Sequence, residues 1–328
     1  MFYFIANIHS RSGQSMKAWE KISHRLNERE VSAQIHMTRF AGHAVQLADQ
    51  LSDQAAADFD RCGLRSTIVA VGGDGTFNEV INGMHDFDKV NLAMIPLGSG
   101  NDLGRGLGIT NKDPLARLED ILTDCHDRER AAESESRVRR MDLGRVELDD
   151  GNSRLFAISC GMGFDAAVCR GVDHMYMKGI LNKLHLGRLS YLTKTLQTIL
   201  SMPLYRGRVL YRKEKGRSCL EVENMIFVAA MNQAAEGGGV PMYPGANAFD
   251  GKFGICLAGS VPRLLALVML PCFLFRMHKI LPGVHQIETK SLQIHMEEAL
   301  PVHSDGEDLG MHRKIRITCL PGKLRIFI

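Results

Sequence analysis

The chain has 328 residues, 45% hydrophobic and 23% charged, a balance that fits a globular protein of one large α/β domain or two domains. Its 40 basic and 37 acidic residues leave a net charge of +3, which excludes the global basicity of a nucleic-acid binder. Eight cysteines are scattered without a Cys-x-x-Cys pair, which excludes paired-cysteine zinc spacing and fits free thiols in a reducing cytoplasm.

Residues 2–8 read as a strand. The run Phe2-Tyr3-Phe4-Ile5-Ala6 has no basic stretch before it and no cleavage site after it, so it reads as a buried strand rather than a leader. A Ser/Gly-rich loop, His9 to Gln14, follows. Trp19, Ile22 and Leu26 recur at helical steps. Val31 to Thr38 alternates as a strand, and Ala44, Ala48, Leu51 and Ala55 mark a second helix. Next, Thr67 to Val71 runs into Gly72-Gly73-Asp74-Gly75-Thr76, then into the helical pattern Phe77-Asn78-Glu79-Val80. A strand that empties into a glycine turn and a helix N-terminus makes an anion site. The glycines are expected to admit phosphate oxygens and to take positive φ, with Thr76 as the helix-starting hydroxyl.

Asp74 does not suit a plain phosphate cradle. A carboxylate about 4 Å from a phosphate charge costs roughly 4 kcal/mol at an effective dielectric of 20. It therefore holds a Mg²⁺, takes a proton, or turns away into a turn hydrogen bond. Asn91 to Pro96 is the next strand, ending in Leu97-Gly98-Ser99-Gly100-Asn101-Asp102, and Asp113-Pro114 opens a helix through Leu122. Strands alternating with helices predict a parallel sheet covered on both faces, with ligands at the carboxyl ends of its strands.

Around Glu129 to Glu135 the composition turns charged and the period changes from 3.6 to 2. This predicts an α/β domain over 1–135 and a β-rich domain over 136–328. Strand-like segments follow at 207–213, 221–231, 252–258, 284–294, 314–319 and 323–328. Two helical excursions interrupt them: 173–202, with Lys178, Lys183, Arg188 and Lys194, and 261–278. The longest uncharged stretch of the second, Leu264 to Phe275, is too short to span a bilayer, so any membrane contact is peripheral. Both excursions read either as membrane-docking elements or as helices packed on the second domain.

The sequence has no G-x-x-x-x-G-K-[ST] and no HExxH. Gly161-Met162-Gly163-Phe164-Asp165-Ala166 satisfies G-x-G-x-x-A, but a dinucleotide site also wants an acid at the end of a second strand about 20 residues later. Asn182 to His185, inside a helical stretch, stands there instead. Asp-Gly pairs at 150–151 and 250–251 read locally as turns. Asp305-Gly306-Glu307-Asp308 sets three carboxylates in four residues, which suggests a base, a metal site or an exposed acidic turn.

Taken together, these motifs resemble the diacylglycerol kinase catalytic family, which includes bacterial lipid kinases and sphingosine kinases. Gly72 to Thr76 with Asn78-Glu79-Val80 is similar to its nucleotide loop. Asn7 with Ser10-Arg11-Ser12-Gly13 resembles its first loop, and Pro96 to Arg105 resembles its P-x-G-T-x-N-D-x-x-R block. Gly161 to Ala166, the region from Gly237 to Gly251, and Val302 to Glu307 match further blocks. Ile8 stands where the family often has proline, and Ser99 replaces threonine while keeping the hydroxyl.

The resemblance implies an NAD-kinase-like α/β domain followed by a β-rich, sandwich-like domain, with the site in the cleft between them. It implies an ATP- and Mg²⁺-dependent kinase of a lipid hydroxyl, with diacylglycerol as acceptor. Asn7, Thr38, Gly72, Gly73, Asp74, Gly75, Thr76, Phe77, Asn78, Ser99 and Asn101 would serve ATP. Asp74 would face the catalytic Mg²⁺ and Glu307 would be the base. Asp250, with the backbone carbonyls of Asn247 and Lys252, would hold a second Mg²⁺. The partner implied is a lipid at a membrane surface, met from the cytoplasm, with no nucleic acid; a homodimer is compatible with the sequence but not derivable from it. The alternatives are NAD kinase, or a catalytically inactive nucleotide-sensing protein of the same fold.

Overall fold

The computed structural model describes residues 1–8, 14–109, 113–130, 137–173, 205–213, 216–260, 272–273, 277 and 281–328. The excursions predicted at 173–202 and 261–278 lie almost wholly outside these residues, as do Ser10 to Gly13 and the charged stretch 131–136. Contacts divide the chain into two compact units: Met1–Leu143 with Pro321–Ile328, and Gly144–Leu320.

The first unit runs β1 (Phe2–Ala6), α1 (Gln14–Glu28), β2 (Ala33–Met37), α2 (His43–Cys62), β3 (Thr67–Gly72), α3 (Asp74–Gly83), β4 (Asn91–Pro96), α4 (Asp102–Gly106) and α5 (Pro114–Arg130), then enters β5 (Val138–Leu148). Its sheet has the order β4-β3-β1-β2, parallel throughout. β3 is buried at every position, which explains its unbroken apolar run, since helices cover both faces. Alternate side chains go opposite ways. Phe4, Val69, Val71, Ala93 and Ile95 pack with Trp19, Ile22 and Leu26 of α1 and Leu118 and Ile121 of α5. Helices α2 and α3 pack against each other, α2 reaching β1 and β3 and α3 reaching β3. The start of α3 corrects one expectation: the helix begins at Asp74, with Gly73 as its cap, so Thr76 sits inside the first turn rather than before it.

No pattern in the sequence announced the return of the last residues to this unit. Ile326 pairs with Leu92 in parallel. Buried Arg117 donates to the carbonyls of Met94 (3.1 Å) and Phe327 (2.7 Å), and its guanidinium lies 4.8 Å from the Phe327 ring centroid. Burial lowers its pKa to about 10, so it stays charged at neutral pH.

The second unit continues with β6 (Ser153–Phe156), β7 (Ser159–Gly163), α6 (Phe164–Asp173), β8 (Tyr205–Lys213), β9 (Gly216–Met225), β10 (Phe227–Met231), β11 (Phe253–Ala258), β12 (Val284–Thr289), β13 (Ser291–Ser304) and β14 (Glu307–Phe327). β12-β11-β10-β7-β13-β14 pair in that order, antiparallel within this unit. β13 does two jobs. Residues Leu292–Met296 pair with β8, residues Val302–Ser304 pair with β7, and the register shifts between His295 and Leu300. Such an irregularity bends a strand, and both halves of β13 contribute to one core with Met162, Val209, Phe253 and Ile315. The segment expected as one strand over 221–231 is two, β9 and β10, because Asn224 takes φ 49° and the partners change. The segments expected at 314–319 and 323–328 belong to a single strand, β14.

Candidate active site

In the first unit, four loops leave the same edge of the sheet, because β1 to β4 are parallel and end in register. Ala6 lies beside Met37 and Val71, and Gly72 beside Pro96. Asn7, Thr38, the Gly73 loop and the Gly98 loop therefore stand side by side, as predicted for a sheet that binds ligands at its carboxyl ends. Asn7 Nδ2 donates to Thr76 Oγ1 at 3.1 Å. The Thr38 amide donates to Ala6 O at 3.0 Å, and the Leu97 amide to Gly72 O at 2.7 Å.

The glycines do not take the positive φ expected of them. Gly73 has φ −93° and ψ −173°, and neither Gly72, Gly98 nor Gly100 is among the positive-φ residues. What matters is close approach of two backbones. A Cβ on Gly98 would lie 2.5 Å from Gly73 Cα and 2.7 Å from Asn101 Oδ1, and one on Gly73 would lie 3.0 Å from Gly98 Cα. Gly75 is inside α3.

Asp74 bridges the same two loops. Its Oδ2 accepts from the Asp102 amide at 2.9 Å and its Oδ1 from the Leu103 amide at 3.2 Å, so the carboxylate meets the first turn of α4, where unpaired N–H groups point outward. Asn101 precedes α4 in the left-handed region (φ 52°, ψ 45°). Its Nδ2 donates to Gly98 O at 2.8 Å, while its buried Oδ1 has no hydrogen-bond partner. Ser99 is exposed, and Phe77 and Asn78 are buried. Asn82 Nδ2 donates to Asn78 O and Oδ1 at 2.8 and 3.2 Å. Glu79 belongs to the same motif. Its carboxylate accepts from the amides of Gly42 (2.9 Å) and Ala44 (3.1 Å), which ties α3 to the start of α2.

The remaining predicted residues belong to the second unit. Asn247 and Asp250 are exposed in the segment before β11, and each turns its own backbone. Asn247 Oδ1 accepts from the Phe249 amide and Asp250 Oδ1 from the Lys252 amide, both at 3.2 Å, the local bonding these side chains favour in turns. Lys252 Nζ pairs with Glu288.

The three carboxylates of the acidic turn go three ways. Asp305 accepts from the amides of Ala157 (2.9 Å), Ile158 (2.8 Å) and Ser159 (3.0 Å). Asp308 pairs with Arg170 at 3.4 Å. Glu307 is exposed at the start of β14.

Beside this turn is a cluster that single-sequence reading did not assemble: Asp165, Glu236 and His303, with one ligand atom of each inside 4.8 Å of the others. His303 is buried, and its Nε2 lies 3.1 Å from Asp165 Oδ2. Burial disfavours the imidazolium, and the carboxylates of Asp165, Glu236 and Asp305 favour it. One contact works the other way. The Gly306 amide points at Nδ1 from 3.3 Å, and an N–H can only donate, so the hydrogen bonds suit a ring protonated on Nε2 alone. That pattern also disfavours a metal, because a metal-bound imidazole donates its other N–H.

Comparison with known proteins agrees with this architecture. Residues 1–133 match the diacylglycerol kinase catalytic domain, and residues 158–328 match the YegS C-terminal NAD kinase beta sandwich-like domain. The chain belongs to the family defined by the YegS C-terminal domain, which spans more than half of it, with a diacylglycerol kinase catalytic domain before it. It is 26% identical over 327 residues to YtlR of Bacillus subtilis (strain 168), covering 99% of this chain and 98% of that one. It is also 26% identical over 279 residues to a diacylglycerol kinase of the same strain, covering 84% and 79%. A crystal structure of a diacylglycerol kinase from Bacillus anthracis str. Sterne superposes with TM-score 0.65 at 19% identity, over 99% of this chain and 96% of that one. An NAD kinase from Archaeoglobus fulgidus, solved in complex with ATP, gives TM-score 0.51 at 11% identity, over 100% and 94%; it shares the fold. The family is one of phosphotransferases, and among the described residues no helix is long and apolar enough to cross a membrane.

Proposed function

We propose that this protein is an ATP- and Mg²⁺-dependent lipid kinase that phosphorylates the hydroxyl of diacylglycerol, giving phosphatidic acid. The observation that carries the reading is the Gly73–Gly98 contact with Asp74 across it, which sets two glycine loops together at the carboxyl edge of the sheet. The naming of a relative as a diacylglycerol kinase supports the acceptor.

The first unit's own residues hold the nucleotide. The glycine backbones and the N-terminus of α3 receive phosphate oxygens, with Asn7, Thr38 and Ser99 at the flanking loops. The residues fit a Mg²⁺ on the chemistry of their donors. The Asp74 carboxylate lies at the junction of the two loops, and Asn101 contributes a buried oxygen without a partner; hard oxygens are what this ion takes. When bound, the ion neutralises charge on the phosphates and relieves their repulsion with Asp74. Asp250, with the Asn247 and Lys252 carbonyls, would hold a second Mg²⁺ that orders the second domain. Glu307 takes the proton from the acceptor hydroxyl. The freed oxygen attacks the γ-phosphorus, the bond to the bridging oxygen breaks, and ADP leaves. A base in place contributes about 10²–10⁴-fold. The acceptor is drawn from the cytoplasmic surface of a membrane through peripheral contact.

The test is transfer from γ-labelled ATP over a panel of diacylglycerol, monoacylglycerol, phosphatidylglycerol, sphingosine, undecaprenol and NAD. Diacylglycerol is expected to take the label. Label on NAD and on no lipid would replace the reading with an NAD kinase, and label on nothing would favour a nucleotide sensor.

A further inference from the structure

We infer that His303 is a positioning residue for Glu307, acting with Asp165 through the turn between β13 and β14. The inference rests on Glu307 being the base, as proposed above. Ser304 and Glu307 are paired across the hairpin, and the two residues between them, Asp305 and Gly306, have φ 50° and 88°, the pattern of a tight two-residue turn. Nothing about a hairpin tip by itself fixes where it points. Here it is held from both sides.

On one side is Asp305, whose carboxylate takes the three amides from Ala157 to Ser159 and whose own amide donates to Ser159 O at 2.9 Å. On the other side is the His303 ring. Nδ1 receives the Gly306 amide, and Nε2 donates to Asp165. Asp165 is itself fixed in the first turn of α6, where Oδ1 accepts the Ala166 amide at 2.8 Å. Gly161 pairs with His303 in the sheet. A side chain on Gly161 would run into both the Asp165 carboxylate and the His303 ring, so this glycine is the floor that lets the pair meet. A histidine protonated on Nε2 offers an acceptor and a donor on opposite edges of one rigid ring, which no other side chain does. The line from α6 through Asp165, His303 and Gly306 therefore ends one residue short of Glu307. A base must come within about 2.6–3.2 Å of the proton it takes, and a displacement of about 1 Å can cost on the order of 10²-fold.

Two substitutions separate the contacts. His303→Asn keeps an acceptor where Nδ1 stands but cannot reach Asp165. His303→Gln reaches towards Asp165 but leaves the Gly306 amide without its acceptor. In the diacylglycerol assay His303→Gln is expected to lower kcat by about 10–100-fold with KM for ATP unchanged, and His303→Asn to retain more of kcat. Glu307→Gln is run alongside. If Glu307→Gln is as fast as wild type, the base assignment fails and the inference falls with it. If Glu307→Gln is slow while His303→Gln keeps wild-type kcat, or raises only KM for ATP, the inference alone is overturned. Should either His303 variant fail to fold, the wild-type protein decides by ¹⁵N NMR of labelled histidine. A His303 ring protonated on Nε2, with Nδ1 a hydrogen-bonded acceptor, is expected, and a proton on Nδ1 overturns the inference.

Discussion

His312 has an acceptor at each ring nitrogen: Asp149 Oδ1 at 2.5 Å from Nδ1 and Leu309 O at 2.9 Å from Nε2. That arrangement suits the cation, unlike His303, where one nitrogen faces a donor. Burial lowers the His312 pKa, but the Asp149 hydrogen bond, the Leu309 carbonyl and the nearby charge raise it above its ordinary 6.5. Burial raises the Asp149 pKa, but His312 and the amides of Arg313 and Lys314 bring it below 3.8. The histidine's contribution is complete below pH 6.5 and is lost as pH rises through its raised value. The aspartate's is complete above 3.8 and is lost as pH falls through its depressed value. Urea unfolding of wild type and His312→Asn should therefore differ more at pH 5.5 than at pH 9, and a gap that does not shrink would count against the ion pair.

Single residues were the least legible feature of the sequence. The Gly72 to Thr76 run reads as a glycine turn between a strand and a helix, but does not say why glycine is needed there. Flanking residues report turn chemistry, whereas Gly73 is constrained by Gly98, which arrives after the next strand. The sequence allows Asp74 three fates, and its contacts with the amides of Asp102 and Leu103 show that it turns towards α4. Asp305 read as part of a repelling cluster because its three amide partners lie about 150 residues earlier in the chain.

At the scale of elements, period and glycine punctuation located most strands and helices of the first unit, since a parallel sheet with helices on both faces leaves a strong pattern. The second unit was harder. Asn224 splits one apparent strand, and β13 changes partners at an irregularity that leaves no composition signal. Glu79 shows how a motif residue can serve an element other than its own. It sits on α3 and receives the amides that open α2, beside the left-handed Gly42. Losing such a cap costs about 0.5–2 kcal/mol. Glu79→Ala should lower thermal stability by that order and weaken ATP binding through the loop that follows Thr38. Unchanged melting and unchanged nucleotide affinity would show that the cap is dispensable.

For the whole molecule, the order of the parts is that of a two-unit kinase. The glycine loops come first, the β-rich unit follows, and the last strand returns to close the first sheet against Arg117. The division of labour proposed for this chain gives Asp74 to the ion and Glu307 to the proton. The most direct test is the rate of label transfer from γ-labelled ATP to diacylglycerol in mixed micelles, measured for wild type and Glu307→Gln with ATP affinity determined in parallel. The expected result is labelled phosphatidic acid from wild type, with Glu307→Gln slower by about 10²–10⁴-fold and ATP affinity unchanged. Equal rates for the two proteins, or no labelled lipid from wild type, would contradict it.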